Sequence, residues 1–173
     1  MTTVMEVRGL SKTFTLHSQG GARIRVFTGL DIDLKAGECL ALHGPSGSGK
    51  STLLRSLYAN YKPQTGSINV RHEQGWVDMA VAEPRQVLMM RKATLGYVSQ
   101  FLRVIPRVPA LEIVARARWA VTGDKEEALA RARTLLAGLN IPERLWTLAP
   151  MTFSGGEQQR VNIARGFIVD YPI

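Results

Sequence analysis

The stretch Gly44-Pro-Ser-Gly-Ser-Gly-Lys-Ser-Thr52 limits what this chain can fold into more than any other. It fits G-x-x-x-x-G-K-[ST], with Gly44, Gly49, Lys50 and Ser51 at the fixed places, between the apolar run 39–42 and a helix-like run 53–57. Three glycines let the backbone curl until successive N–H groups face inward, while the helix that follows aims its positive end at the same point. Such a nest takes phosphate oxygens. Pro45, Ser46, Gly47, Ser48 and Thr52 complete it, Lys50 supplies a mobile charge for the outer phosphates, and Ser51 offers a hydroxyl to Mg²⁺. A strand, this loop and a helix in that order predict binding of a nucleoside triphosphate.

At 173 residues, 45% of them hydrophobic, the chain is expected to form one domain with a sizeable core. No apolar run approaches the roughly 18 residues of a membrane span. Residues 1–6 lack the basic start and apolar centre of a secretory signal, so the expectation is a soluble, cytoplasmic protein with no segment inserted in a membrane. The single cysteine, Cys39, lies in the run before the loop and reads as a buried thiol without disulfide or catalytic role. A net charge of +8 favours acidic or phosphate-rich partners. The arginines are scattered, however, and pairs such as Arg116 with Arg118 or Arg131 with Arg133, two apart on a helix, do not share a face. Docking to an acidic protein is favoured over nucleic acid.

Taken in order, residues 4–7 and 12–16 alternate as strands, 17–21 turn, and 24–27 and 30–34 alternate again, which predicts antiparallel β structure at the front. The run before the loop reads as a further strand. Residues 50–60 read as a helix, and 67–70 with 76–79 as a hairpin closed by 72–75. Pro84 opens a helix to about Lys92, and 95–99 is a short strand ending at Gln100. Helices follow at 111–120, after a capping box over 124–127 with Leu129, Ala132, Leu136 and Leu139 on one face, at Pro142, and from Ser154 through Arg165. Phe14, in the first β region, could stack on a base; strand packing is an equal reading.

The run Phe153-Ser-Gly-Gly-Glu-Gln-Gln-Arg160 resembles the signature motif of ABC-type ATPases, and Gln100 at a strand end resembles that family's Q-loop. Phe153 and Glu157 stand where many members carry Leu and Gln. The resemblance implies an α/β P-loop core with an antiparallel β lobe and a helical subdomain, as one ABC ATPase domain. Residues 1–100 would hold the lobe and core, and 101–165 the helical subdomain with the signature. ATP and Mg²⁺ are the implied cofactors. Phe14 would take the place of the adenine-stacking aromatic, and Gln100 would join Ser51 at the metal and sense the γ-phosphate. Ser154, Gly155, Gly156 and Glu157 would contact the ATP of a second subunit, giving an ATP-dependent homodimer. Residues 101–106 would face the driven partner.

Longer stretches, 55–61, 100–106, 141–146 and 153–173, resemble the PhnL subfamily, ATP-binding subunits of the bacterial carbon–phosphorus lyase system for phosphonate use. That likeness implies subunits of a lyase complex as partners, a second ABC ATPase among them. The same motifs also serve the nucleotide-binding subunit of a membrane transporter, of the lipoprotein-release type. A third reading is a module whose assembly nucleotide controls without hydrolysis.

Members of the family continue with an apolar strand ending in a Mg²⁺-linked Asp, then a water-polarising Glu and a switch His. Asp170, His17, His43 and His72 stand in the wrong places for these roles, so no catalytic residue is assigned. The fold is accordingly expected to be incomplete at its C-terminal end, with an unpaired sheet edge and negligible ATP turnover by this chain alone. Asp170 reads as a helix-end or solvent residue, and His43 as packed at the end of the loop strand.

Overall fold

The computed structural model describes residues 2–73, 75–102 and 106–173. It divides into two compact units, residues 1–95 with Ile173, and residues 96–172. No helix among the described residues is long and apolar enough to cross a membrane.

The first unit is built on a four-stranded antiparallel sheet of order β2-β1-β3-β4. Strands β1 (Thr3–Leu16) and β2 (Ala22–Lys35) form one long hairpin, turned by a 3-10 segment at His17–Gln19. The breaks in alternation that divided this region into four short strands are register shifts, between Val7 and Leu10, Leu10 and Lys12, and Lys12 and Thr13. A bulge lets a strand continue while its side-chain phase changes. Strands β3 (Thr65–His72) and β4 (Gly75–Asp78) complete the sheet as the sequence led one to expect, although Gln74 of their turn lies outside the described residues.

One face of this sheet is apolar. Met5, Val7 and Leu10 of β1 and Ile68 and Val70 of β3 are buried with Leu53 of helix α1 (Lys50–Leu57) and Met90 of helix α2 (Pro84–Ala93). Each such side chain contributes about 1.5–3 kcal/mol of burial free energy. Glu83 opens α2 in a reciprocal capping box with Gln86, and Pro84 fills the first turn.

Two expected strands are not strands. Residues 39–42 and 95–99 pair with no ladder among the described residues. An isolated segment has no cross-strand partner for its N–H and C=O groups, so an apolar run alone does not make it a strand. Cys39 is consequently exposed and not a buried thiol, Leu40 is 47% exposed, and His43 is exposed and not packed. Leu95 is buried, and Ile173 N donates to Thr94 O at 3.0 Å.

The second unit is helical: α3 (Ala110–Thr122), α4 (Lys125–Gly138), α5 (Glu143–Trp146) and α6 (Gly155–Phe167). Ala128, Ala132 and Leu136, spaced by four, form the buried stripe of α4, with Leu129 and Leu139 partly buried beside it. They meet Val114 of α3 and Val161 and Ala164 of α6 in one core. The box expected at 124–127 is half formed. Asp124 Oδ1 accepts from Glu127 N at 3.0 Å, but the Glu127 carboxylate turns to Arg118, and Asp124 N donates to Thr122 Oγ1 at 3.2 Å. An arginine fork is the stronger partner for a carboxylate than one backbone N–H.

Candidate nucleotide site

Gly44, Gly47 and Gly49 all have positive φ, at 148°, 81° and 92°. At Gly49 the close approach is also steric, because a Cβ would lie 2.5 Å from Val26 Cγ1. These turns bring the chain round to α1, whose N-cap is Gly49 and carries no side-chain hydrogen bond. The first N–H groups of α1 therefore remain available for an anion. Lys50 folds back over the loop, its Nζ donating to Gly44 O and Pro45 O, both at 2.7 Å, and to Ser48 Oγ at 3.3 Å. A cation thus sits over the ring of loop residues. Pro45, Ser46, Gly47 and Ser48 line the open side and are exposed.

Ser51, in the first turn of α1, is exposed, whereas Thr52 is half-buried and its carbonyl accepts from Ser56 Oγ at 2.9 Å. No group of three His, Cys, Asp or Glu side chains that could hold a metal exists among the described residues. A hydroxyl beside a phosphate nest nonetheless fits Mg²⁺, an oxygen-seeking ion that keeps several waters and is usually carried in with phosphates. Ser51 would hold it there, and the ion would neutralise phosphate charge.

Phe14 is half-buried and meets Tyr61 edge to face, with ring centroids 5.3 Å apart. Lys12 Nζ lies 4.9 Å from the Phe14 centroid and 5.9 Å from that of Tyr61. That lysine is only 8% exposed and donates to Lys62 O at 2.6 Å, while Arg55 Nη1 donates to the Tyr61 hydroxyl at 2.9 Å. Sequence reasoning missed Lys12 and Tyr61 as neighbours of Phe14. Their contact depends on β1 passing the loop after α1, which no local pattern encodes.

In the helical unit, Ser154 and Glu157 form the expected capping box at the head of α6. Ser154 N donates to Glu157 Oε2 at 2.8 Å, and Glu157 N to Ser154 Oγ at 3.3 Å. The Ser154 hydroxyl first, and its backbone N–H second, hold the Glu157 carboxyl below its usual pKa, with Arg160 and Arg144 adding to the effect. Gly155 and Gly156 are exposed beside it. Gln100 is exposed and follows Ser99, whose Oγ donates to Phe101 O at 2.7 Å. Phe101 is 74% exposed; Arg103, Val104 and Ile105 of the expected partner-facing run lie outside the described residues.

Asp170 is more than a solvent residue, since its carboxylate takes Arg118 at 2.9 Å and Arg131 at 3.5 Å. His17 is exposed in its turn, and His72 Nδ1 bonds Thr94 Oγ1 at 2.6 Å.

The ABC transporter family model matches residues 27–173. The L-cystine transport system ATP-binding protein TcyN of Escherichia coli (strain K12) is 37% identical over 164 residues, covering 94% of this chain and 62% of that protein. The lipoprotein-releasing system ATP-binding protein LolD 2 of Caulobacter vibrioides is 38% identical over 162 residues, covering 94% of this chain and 68% of that protein. The chain thus spans about two thirds of the length of these curated relatives. Among solved structures, the dimeric post-hydrolysis state of the ATP-binding cassette MJ0796 bound to ADP and Pi aligns with a TM-score of 0.85 at 28% identity. The alignment covers 96% of this chain and 70% of that one. The chain belongs to the ABC transporter family, and its antiparallel β lobe and helical subdomain are those of an ATP-binding cassette.

Proposed function

We propose that this chain is the ATP-binding part of an ABC system. Residues 44–52 hold the phosphates of ATP, Ser51 and Gln100 serve Mg²⁺, and Ser154, Gly155, Gly156 and Glu157 of a second copy close over the γ-phosphate. The observation that carries this reading is Lys50 Nζ poised over a ring of positive-φ glycines at an uncapped helix start. Phosphate oxygens can take the place of the two loop carbonyls as its partners, with a net gain in charge pairing. Phe14 stacks the base. The similarity to a cassette described as dimeric and bound to ADP and Pi supports the two-copy arrangement.

For the driven partner, the relatives named for lipoprotein release and cystine transport support a membrane transporter. The phosphonate-lyase reading rests on residues 55–61, 100–106, 141–146 and 153–173, stretches outside the nucleotide loop. Affinity purification from the native host separates them: an integral membrane protein supports the first, a soluble enzyme assembly the second.

The nucleotide reading is tested by ATP titration calorimetry. Lys50→Ala abolishes measurable binding, and Ser154→Arg leaves binding to the monomer intact while preventing ATP-dependent dimerisation in light scattering. Unchanged ATP affinity in the Lys50→Ala protein removes the reading.

A further inference from the structure

Residues 96–99 belong to no strand, yet three contacts fasten them to α6 and to the turn behind it. Asn162, 4% exposed in the middle of α6, donates Nδ2 to Ser99 O. One helical turn later a Cβ on Gly166 would overlap Val98 Cγ2, so the α6 backbone lies directly against that side chain. A Cβ on Gly96 would in turn lie 2.6 Å from Tyr171 Cδ2.

Asn162 and Gly166, four apart, present one face of α6 to Val98 and Ser99. Asparagine is a poorer helix former than alanine, and a buried amide is costly unless bonded. Between the buried Val161 and Ala164, packing alone would be served better by alanine. The Ser99 bond is what the amide adds. Ser99 immediately precedes Gln100, and Ser154 heads the same helix that carries Asn162.

We infer that Asn162 is a positioning residue that, through Ser99 and with the Gly166–Val98 contact, fixes where Gln100 is presented and ties it to the helix headed by Ser154. This rests on the proposed role of Gln100 at the Mg²⁺–ATP site. Asn162 acts one residue away, anchoring the carbonyl of Ser99, which precedes Gln100, to the middle of α6.

The test measures ATP affinity of the full chain with and without Mg²⁺, in a thermodynamic cycle. Gln100→Ala reduces the Mg²⁺-dependent gain in affinity, and Asn162→Ala reduces it by a similar factor, about three- to tenfold for one hydrogen bond. In Asn162→Ala, affinity without Mg²⁺, carried by residues 44–52, stays unchanged. The double variant is no worse than Gln100→Ala alone, as for two residues acting through one contact. Additive losses, or an Asn162→Ala loss equal with and without Mg²⁺, overturn the inference.

A second route avoids a variant that fails to fold. Gly166→Ala pushes Val98 away and reproduces the loss, and adding Val98→Ala removes Cγ2 and restores the gain; a loss that Val98→Ala leaves in place overturns the inference. The underlying reading fails distinguishably, because then Gln100→Ala has no effect or the unaltered chain binds no ATP.

Discussion

Arg118 Nη1 and Asp170 Oδ2 lie 2.9 Å apart, and the same guanidinium grips both oxygens of Glu127 at 2.7 and 2.9 Å and Ile168 O at 3.1 Å. One planar cation therefore ties α3, the first turn of α4 and the end of α6. Glu127 first and Asp170 second push its pKa further above the usual arginine value. The Arg118 side chain is 21% exposed and that of Asp170 72%, so the two ends of the pair differ in importance. Arg118→Ala is expected to cost about 1.5–2 kcal/mol, a drop of about 4–6 °C in Tm, whereas Asp170→Asn costs about 0.5 kcal/mol or less. Lysine at 118 does not restore the loss, because it lacks the fork. Thermal melts decide, and equal losses for the arginine and aspartate variants would contradict the arrangement.

The Glu157 carboxyl is held below its ordinary value, 4.5, chiefly by the Ser154 hydroxyl. A carboxyl whose folded pKa is depressed adds stability that is fully present above its unfolded pKa and is lost as pH falls through the folded value. The unaltered protein is therefore expected to melt above Glu157→Gln at pH 7, with the gap closing as pH drops below about 4.5. Ser154→Ala should cost about 1 kcal/mol as a lost cap and flatten the same pH dependence. A gap between unaltered and Glu157→Gln proteins that stays constant from pH 7 to 3 would refute the assignment.

What the sequence made legible was local. The loop of residues 44–52, the box of Ser154 with Glu157, the helix opened by Pro84 and the buried stripe on α4 are each written within a few neighbouring residues, and each was found where expected. Legibility ended where a feature needs a distant partner. Strand character at 39–42 and 95–99 depends on a neighbouring strand, the environment of Phe14 on Tyr61, and the role of Asp170 on Arg118. Glu127 shows the competition directly: its spacing from Asp124 favours a cap, and a guanidinium from α3 takes its side chain instead.

Cys39 supplies a chemical check on the unpaired run before the loop. It is exposed, and a thiol in a central strand would not be. Native protein is expected to react with a charged disulfide reagent nearly as fast as denatured protein, because access limits the rate and not opening of the fold. Protection by a hundredfold or more in the native state would show that the run is covered.

Gly49 separates backbone strain from crowding. Both Gly47 and Gly49 have positive φ, but a Cβ at Gly47 meets nothing within 4 Å while one at Gly49 meets Val26 Cγ1 at 2.5 Å and Val26 O at 3.5 Å. Gly47→Ala should therefore cost about 1–2 kcal/mol from the left-handed backbone alone. Gly49→Ala should cost more, about 2–4 kcal/mol, because β2 must also shift. Urea unfolding of the two variants measures the difference. Trimming the neighbour with Val26→Ala should recover part of the Gly49→Ala loss and none of the Gly47→Ala loss.

Phe14 has two proposed tasks that can be told apart. The edge-to-face contact with Tyr61 predicts a coupling of about 0.5–1.5 kcal/mol in a Phe14→Ala and Tyr61→Ala double-mutant cycle read by urea unfolding. Base stacking predicts something that packing does not: Phe14→Ala weakens ATP by about three- to tenfold yet leaves inorganic triphosphate, which has no base, unaffected. Tyr61→Leu, which keeps bulk beside Phe14 while removing the hydroxyl held by Arg55, should disturb stability more than ATP affinity. If ATP and inorganic triphosphate weaken together in Phe14→Ala, the ring acts only by bracing the hairpin, through its contacts with Tyr61 and with the buried Lys12.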